Sequence, residues 1–366
     1  MPSISVVIPA YNAAAYLEAC LHNLARSTCA DFECIVVDDG STDATAEVAR
    51  RRGARVISTD GRRGPAHARN LGAKAATGDI LFFIDSDVSV YPGTLARVLE
   101  DFEQEPELAA VIGSYDDSPG SHDFLSEYRN LMHCYVHQTG RKRACTFWSG
   151  CGAIRRAIFL EHNGFDESYG RPAIEDIELG YRLSAAGLTM ALDRHLLVKH
   201  HKHWSLWNVV KTDILDRGVP WTELILRDQK LPNDLNVQLS QRLSVALVFL
   251  LVGVAGLTAL RWGGYFLAPL FALLLFLLAR YWVDAVSPRQ SKAGMAAFTA
   301  TAAGTVWLSW AMGMPGLVVP VALGYLLLFL RHRYAYATYS RRRLTGALLG
   351  VYMVLSIVLI LRYLPN

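Results

Sequence analysis

The sequence predicts an α/β fold on a mostly parallel sheet, followed by interfacial helices and an all-α transmembrane region. Three observations predict it. Apolar runs without polar alternation recur between helical patterns in the first part of the chain. Acidic residues gather where those runs end. Beyond about Arg242 nearly every charge disappears, except in short clusters.

The elements follow in order. Ile4–Ile8 predicts the first strand, and Met1–Pro9 has no basic start before a long apolar core, so it reads as a strand and not as a secretory signal. Asn12 is placed to cap a helix whose apolar stripe is Leu17, Cys20, Leu21 and Leu24. Cys34–Val37 predicts a second strand, ending in Asp38-Asp39-Gly40-Ser41-Thr42-Asp43, which opens another helix. Arg55–Ser58 gives a third strand, Pro65 starts a helix closing near Gly78, and Ile80–Ile84 gives a fourth strand. Fully apolar strands separated by helices call for a parallel sheet covered on both faces. Ligands of such sheets collect at the carboxyl ends of the strands. Asp38-Asp39 and Asp85-Ser86-Asp87 stand there.

In the second half, Leu243–Leu260, Gly264–Val283, Gly294–Gly313, Pro315–Leu330 and Thr345–Leu361 are each near the length that crosses a bilayer, about 20 residues. With the N-terminal part in the cytosol, the inside loops carry the cluster Arg331, Arg333, Arg341, Arg342 and Arg343, as the positive-inside rule requires for five spans. The stretch Trp204–Leu231 mixes Trp204, Trp207, Trp221 and Leu226 with Lys211, Arg217 and Arg227, the mixture of helices lying in a bilayer interface. The expected divisions are 1–203, 204–242 and 243–366, in a multi-pass protein of a bacterial-type inner or cell membrane. A net charge of +3 with 19% charged residues is not that of a nucleic-acid binder, and the Arg331–Arg343 cluster follows from topology and anionic lipid heads. The six cysteines form no CxxC pair and read as reduced thiols.

Two acidic sites carry the chemistry. Asp85 and Asp87 follow a buried strand, and in an extended segment alternate residues face the same way, so both carboxylates can address one hard divalent cation. Such a cation compensates the charge of a departing pyrophosphate. Glu175-Asp176 opens an amphipathic helix, where the helix dipole keeps a carboxylate ionised and suited to general-base work. Plain helix capping is the alternative for this pair, and also for Asp38, Ser41 and Asp43. In His200-His201-Lys202-His203, His203 or His201 is a candidate metal ligand, against a basic loop facing phosphate.

Val7-Ile8-Pro9-Ala10-Tyr11-Asn12, Val36–Asp43, Ala68-Arg69-Asn70-Leu71-Gly72 and Asp85-Ser86-Asp87 resemble the family 2 glycosyltransferases in order and spacing. Gly150–Arg156, Gly164-Phe165-Asp166-Glu167 and Glu175-Asp176 continue the pattern, so the resemblance covers roughly residues 4–230. It implies a GT-A, Rossmann-like catalytic domain and inverting transfer from a UDP- or GDP-sugar with Mg2+ or Mn2+. Pro9, Ala10 and Tyr11 would then line the nucleotide site, with Asp39 on the base or ribose and Arg69 near the base or phosphates. Asp85 would touch ribose or metal, Ser86 would bind the donor, and Asp87 would bind metal. Trp148, Gly150 and Gly152 would surround the transferred sugar, Asp176 would be the base and Glu175 a supporting contact to the acceptor. The chain departs from the processive polysaccharide synthases, which carry QxxRW after the base; Arg217-Gly218-Val219-Pro220-Trp221 is a loose echo. Transfer to a membrane-associated, lipid-linked acceptor is therefore the leading expectation, and a processive synthase or translocase the alternative.

Overall fold

The computed structural model describes residues 3–229, 234, 235, 239, 242, 243, 245–250 and 253. The chain divides into two compact units, Met1–Leu239 and Ser240–Asn366. Four of the five apolar segments expected to cross a membrane lie outside the described residues, as does most of Leu243–Leu260. Among the described residues no helix is long and apolar enough to cross one.

The first strands form where the sequence predicts. These are β1 (Ile4–Ala10), β2 (Phe32–Asp38), β3 (Arg55–Ser58) and β4 (Ile80–Ile84), all parallel in the order β3-β2-β1-β4. Side chains alternate across a strand. Ile4, Val6 and Ile8 accordingly enter the core under α1 (Ala14–Leu24), whose stripe Leu17, Cys20, Leu21 and Leu24 is fully buried. Val7 enters the opposite core under α3 (Pro65–Ala75), with Leu81 and Phe83. Two covered faces explain why these strands read as unbroken apolar runs. Phe83 anchors the second core, its ring centroid 5.2 Å from both Phe159 and Phe165 and 6.3 Å from Phe147. Truncating it to alanine would cost about 3–5 kcal/mol.

Beyond β4 the sheet is mixed. After β5 (Val88–Val90) and α4 (Thr94–Gln104) come β6 (Leu108–Tyr115), α5 (Phe124–Thr139), β7 (Arg143–Ala144) and β8 (Cys151–Arg155). Then follow α6 (Arg156–Glu161), α7 (Glu175–Ala185) and β9 (Thr189–His200). Strand β8 inserts antiparallel between β4 and β6, and β9 pairs parallel to β6. Strand β5 closes the edge antiparallel to β9, with Val88 opposite His200. That register brings the turn after β4 against the end of β9.

The segment expected to be interfacial is helical: α8 (Leu206–Lys211), a π-helical turn Thr212–Gly218 and α9 (Val219–Asp228). Its aromatics divide. Trp207 is 70% exposed, whereas Trp204 is buried under the Arg129 and Lys202 cations, and Trp221 donates its indole N–H to the Tyr181 hydroxyl on α7 at 3.0 Å. Only part of the segment presents an apolar face outward.

Candidate active site

Asp85-Ser86-Asp87 is not extended, as the alternation argument required. The Val88 amide donates to the Asp85 carbonyl at 3.1 Å, closing a tight turn between β4 and β5. The two carboxylates consequently have different partners. Asp85 Oδ1 accepts from Arg69 Nη2 at 2.7 Å, while Asp87 Oδ2 lies 3.7 Å from His200 Nε2. Burial acts to raise the Asp87 pKa, but the His200 bond and charge, with Lys202 behind it, hold the carboxyl below its usual range.

The histidine beside Asp87 is His200, held flat against Tyr115 with ring centroids 4.3 Å apart. His201 uses its Nε2 on the Ser89 hydroxyl at 2.8 Å, and His203 turns to Asp123 at 3.6 Å with most of its side chain in solvent. Neither of these two meets Asp87 through its ring. Among the described residues no three His, Cys, Asp or Glu side chains form a ready metal cage.

The second acidic pair is brought to the first by a buried guanidinium. Arg69, on α3, donates Nη1 to Glu175 Oε1 at 2.8 Å and Nη2 to Asp85. Burial disfavours its charge, but Asp85, Glu175 and Asp176 outweigh that and raise its pKa. Burial, joined by Asp176, pushes the Glu175 carboxyl up against the opposing pull of Arg69. Asp176 is oriented by Ser149, whose amide and hydroxyl each donate to Oδ2 at 3.1 Å. Glu175 and Asp176 open α7 as expected, yet the N-cap residue is Ile174, so this pair is not a simple cap. No signal in the sequence singled out Ser149.

At the ends of β1 and β2 lie the residues expected to hold a nucleotide. Pro9 and Ala10 finish β1, and the half-exposed Tyr11 ring carries the Arg62 guanidinium 4.1 Å from its centroid. Asp39 is 4% exposed and turns its carboxylate inward, accepting from Thr59 Oγ1 at 3.0 Å and from the Arg63 and Gly64 amides at 2.8 Å each. It ties the loop before α3 to the end of β2. Gly64 itself needs a positive φ of 93°, and a Cβ there would come 2.7 Å from the Gly170 backbone.

Asn12 does not cap α1. It stands in the left-handed region at φ 48°, and its Oδ1 accepts from the Thr42 amide at 2.8 Å, stitching the two nucleotide-side loops together. The start of α1 is served instead by Thr45 Oγ1 on the Ala13 amide and by Asp43 on the Ala14 amide.

Gly150 and Gly152 stand against neighbouring groups of the protein itself. A Cβ on Gly150 would sit 2.7 Å from the Trp148 indole, and one on Gly152 would press on the Trp148 carbonyl oxygen and sit 2.7 Å from the Phe147 ring. Trp148 lies in a cluster with Tyr115 at 4.9 Å, His133 at 4.3 Å and His137 at 5.0 Å. Burial first, then neighbouring cations, keeps His133 neutral well below its ordinary titration range.

A mixed α/β sheet with an acidic turn after its fourth strand is the GT-A-like arrangement. The same fold is found in the mannosyltransferase PcManGT of Pyrobaculum calidifontis, solved with GDP-Man and Mn2+. The match has a TM-score of 0.52 at 19% identity, over 91% of this chain and 88% of that one. Residues 5–162 match the family model Glycosyl transferase family 2. It is 35% identical over 228 residues to validoxylamine A glucosyltransferase of Streptomyces hygroscopicus, covering 53% of this chain and 54% of that one. It is 42% identical over 123 residues to a PGL/p-HBAD biosynthesis glycosyltransferase of Mycobacterium tuberculosis, covering 32% of this chain and 44% of that one. The chain thus spans about half the length of the curated relatives it matches.

Proposed function

We propose that the chain is an inverting, metal-dependent glycosyltransferase that moves a sugar from a UDP- or GDP-sugar to a lipid-linked acceptor at the cytosolic face of a membrane. One observation carries the reading: Arg69 joins the turn bearing Asp85 and Asp87 to the helix start bearing Glu175 and Asp176. A donor-side acidic group and a base-side acidic group thereby share one buried cation. The family 2 match supports the same reading.

A divalent cation suits Asp87. Its carboxyl is ionised at neutral pH, His200 offers a second donor atom 3.7 Å away, and Mg2+ or Mn2+ needs few protein ligands when substrate phosphates complete its shell. Bound there, the ion would neutralise charge on the departing nucleoside diphosphate. Asp176, oriented by Ser149 at the start of α7, accepts the proton of the acceptor hydroxyl as that oxygen bonds the anomeric carbon. The bond from that carbon to the diphosphate oxygen breaks on the opposite face, so the configuration inverts. Pro9, Ala10, Tyr11 and Asp39 border the nucleotide, and Ser86 and Trp148 the sugar side.

The exposed face of Leu206, Trp207, Val210, Ile214 and Leu226 beside Lys211 supports contact with lipid, and the five apolar segments of the sequence support a multi-pass anchor. The test uses the full chain in lipid nanodiscs, Mn2+, a panel of sugar nucleotides and mass analysis of extracted lipids. One added sugar per lipid is expected. Asp87→Asn and Asp176→Asn should each cut transfer by about 10²–10⁴-fold; unchanged transfer in either refutes the mechanism. Long saccharide products would assign the processive alternative.

A further inference from the structure

We infer that Arg69 is a positioning residue: it sets the spacing between the Asp85–Asp87 turn and the Glu175–Asp176 helix start, and it is not a ligand of the nucleotide. The inference rests on the proposed function. It departs from the family expectation for Arg69, which placed it near the base or the phosphates.

The geometry leaves the guanidinium little else to do. Its side chain is 5% exposed, and its two terminal nitrogens each hold a carboxylate from a distant part of the chain, at 2.7 and 2.8 Å. Its Nε is enclosed and has no hydrogen-bond partner among the described residues. One side is walled by Phe165, whose ring centroid lies 5.6 Å from the guanidinium carbon.

The connection continues on the base side, where Glu175 Oε2 accepts from the Ala173 amide at 2.9 Å, so the loop entering α7 is held through the same carboxylate. The next residue on α3 repeats the task. Asn70 donates to the Phe165 carbonyl at 2.8 Å and accepts from its amide at 2.9 Å. Two consecutive residues of α3 therefore fasten the strand-end turn and the pre-α7 loop to one rigid helix. A planar fork can span two carboxylates at once, and a lysine ammonium on its flexible stem cannot hold both in fixed geometry.

Full chain in nanodiscs, with Mn2+ and a donor that the wild type turns over, tests this. Arg69→Lys should bind donor within about threefold of wild type while kcat falls about 100-fold, the scale of an ångström-size misplacement. Combined with Glu175→Gln, Arg69→Lys should cost far less than it does alone, since both break one connection. The proposal is overturned if donor affinity drops tenfold or more at unchanged kcat, or if the two losses simply multiply. A second readout is independent of activity. Arg69→Lys should speed backbone hydrogen exchange in both 86–88 and 173–177, and unchanged exchange in either segment overturns the brace. A wild type that binds no sugar nucleotide would sink the glycosyltransferase reading, while the exchange result still decides the brace.

Discussion

Acidification from about pH 7.5 to about pH 4.5 should weaken the α/β unit through His137 by a calculable amount. This side chain is 2% exposed, its Nδ1 lies 2.7 Å from the Gly113 carbonyl, and its ring stacks on His133 with centroids 4.1 Å apart. Burial pushes its pKa from the ordinary 6.5 down to about 4, against a smaller upward pull from Gly113. The folded value lies below the unfolded one. The contribution is therefore intact above about pH 6.5 and is lost as pH falls toward about 4, because the unfolded chain takes the proton first. With 1.36 kcal/mol per pKa unit, linkage gives a loss of about 2.5 kcal/mol between the two pH values. Chemical unfolding of the full chain, followed by tryptophan emission, measures it, with Trp148 as a reporter 5.0 Å from the ring. His137→Gln removes the titration, and its packing penalty cancels between the two conditions. Wild type should lose about 2.5 kcal/mol more than the variant over that interval. Equal losses would refute the account of a buried neutral imidazole.

Three other outcomes follow from the same geometry. His200→Gln should weaken Mn2+-dependent donor binding by calorimetry, whereas His203→Gln, remote from Asp87 beside Asp123, should leave it unchanged. Gly180→Ala should destabilise the fold by about 1–3 kcal/mol in thermal melts and reduce transfer, because its Cβ would press on the Phe147 amide and sit 2.5 Å from the Thr146 backbone, in the loop leading to Ser149. Asp101 is pushed up to about 7 by burial and by Asp193, with Arg97 opposing. Its folded pKa exceeds the unfolded one, so stability falls as pH rises from about 4 to about 7, and Asp101→Asn should recover about 1–2 kcal/mol at about pH 8 once its partial exposure is discounted.

The parallel half of the sheet was legible because β1 and β4 are buried on both faces and consist mostly of β-branched and aromatic residues. The antiparallel half was not. Cys151–Arg155 owes its place between β4 and β6 to partners about 40 and 70 residues away, which no local pattern records. The same limit governs the site. Asp85, Asp87, Glu175 and Asp176 stand out by their positions at element ends, but the choice among three neighbouring histidines depends on a single register, Val88 opposite His200. Asn12 misled because an Asn before a helix usually caps it; here it adopts the left-handed conformation that Asn tolerates better than most residues. Trp204 and Trp221 misled because aromatic residues serve an interface and a core equally well, and here they serve the core.

Charge explains why such a site would need a cation at all. Three carboxylates, Asp85, Glu175 and Asp176, act on a single buried guanidinium, and Asp87 is the one of the two turn carboxylates that Arg69 does not bond. Arg69 offsets the charge between Asp85 and Glu175, and His200 partly offsets that on Asp87. A nucleoside diphosphate entering this field brings further negative charge, and the repulsion grows as its bond to the sugar breaks. The single charge of Arg69, already shared by Asp85 and Glu175, cannot supply the whole remedy. A divalent ion at Asp87 can, and it leaves the brace intact. On the proposed reading the protein's own cation fixes geometry while the exchangeable one answers to chemistry. Binding of metal and donor should therefore be strongly interdependent, each raising the affinity of the other by the same factor. Independent binding, measured by calorimetry of each ligand with and without the other, would separate the two roles and undo this argument.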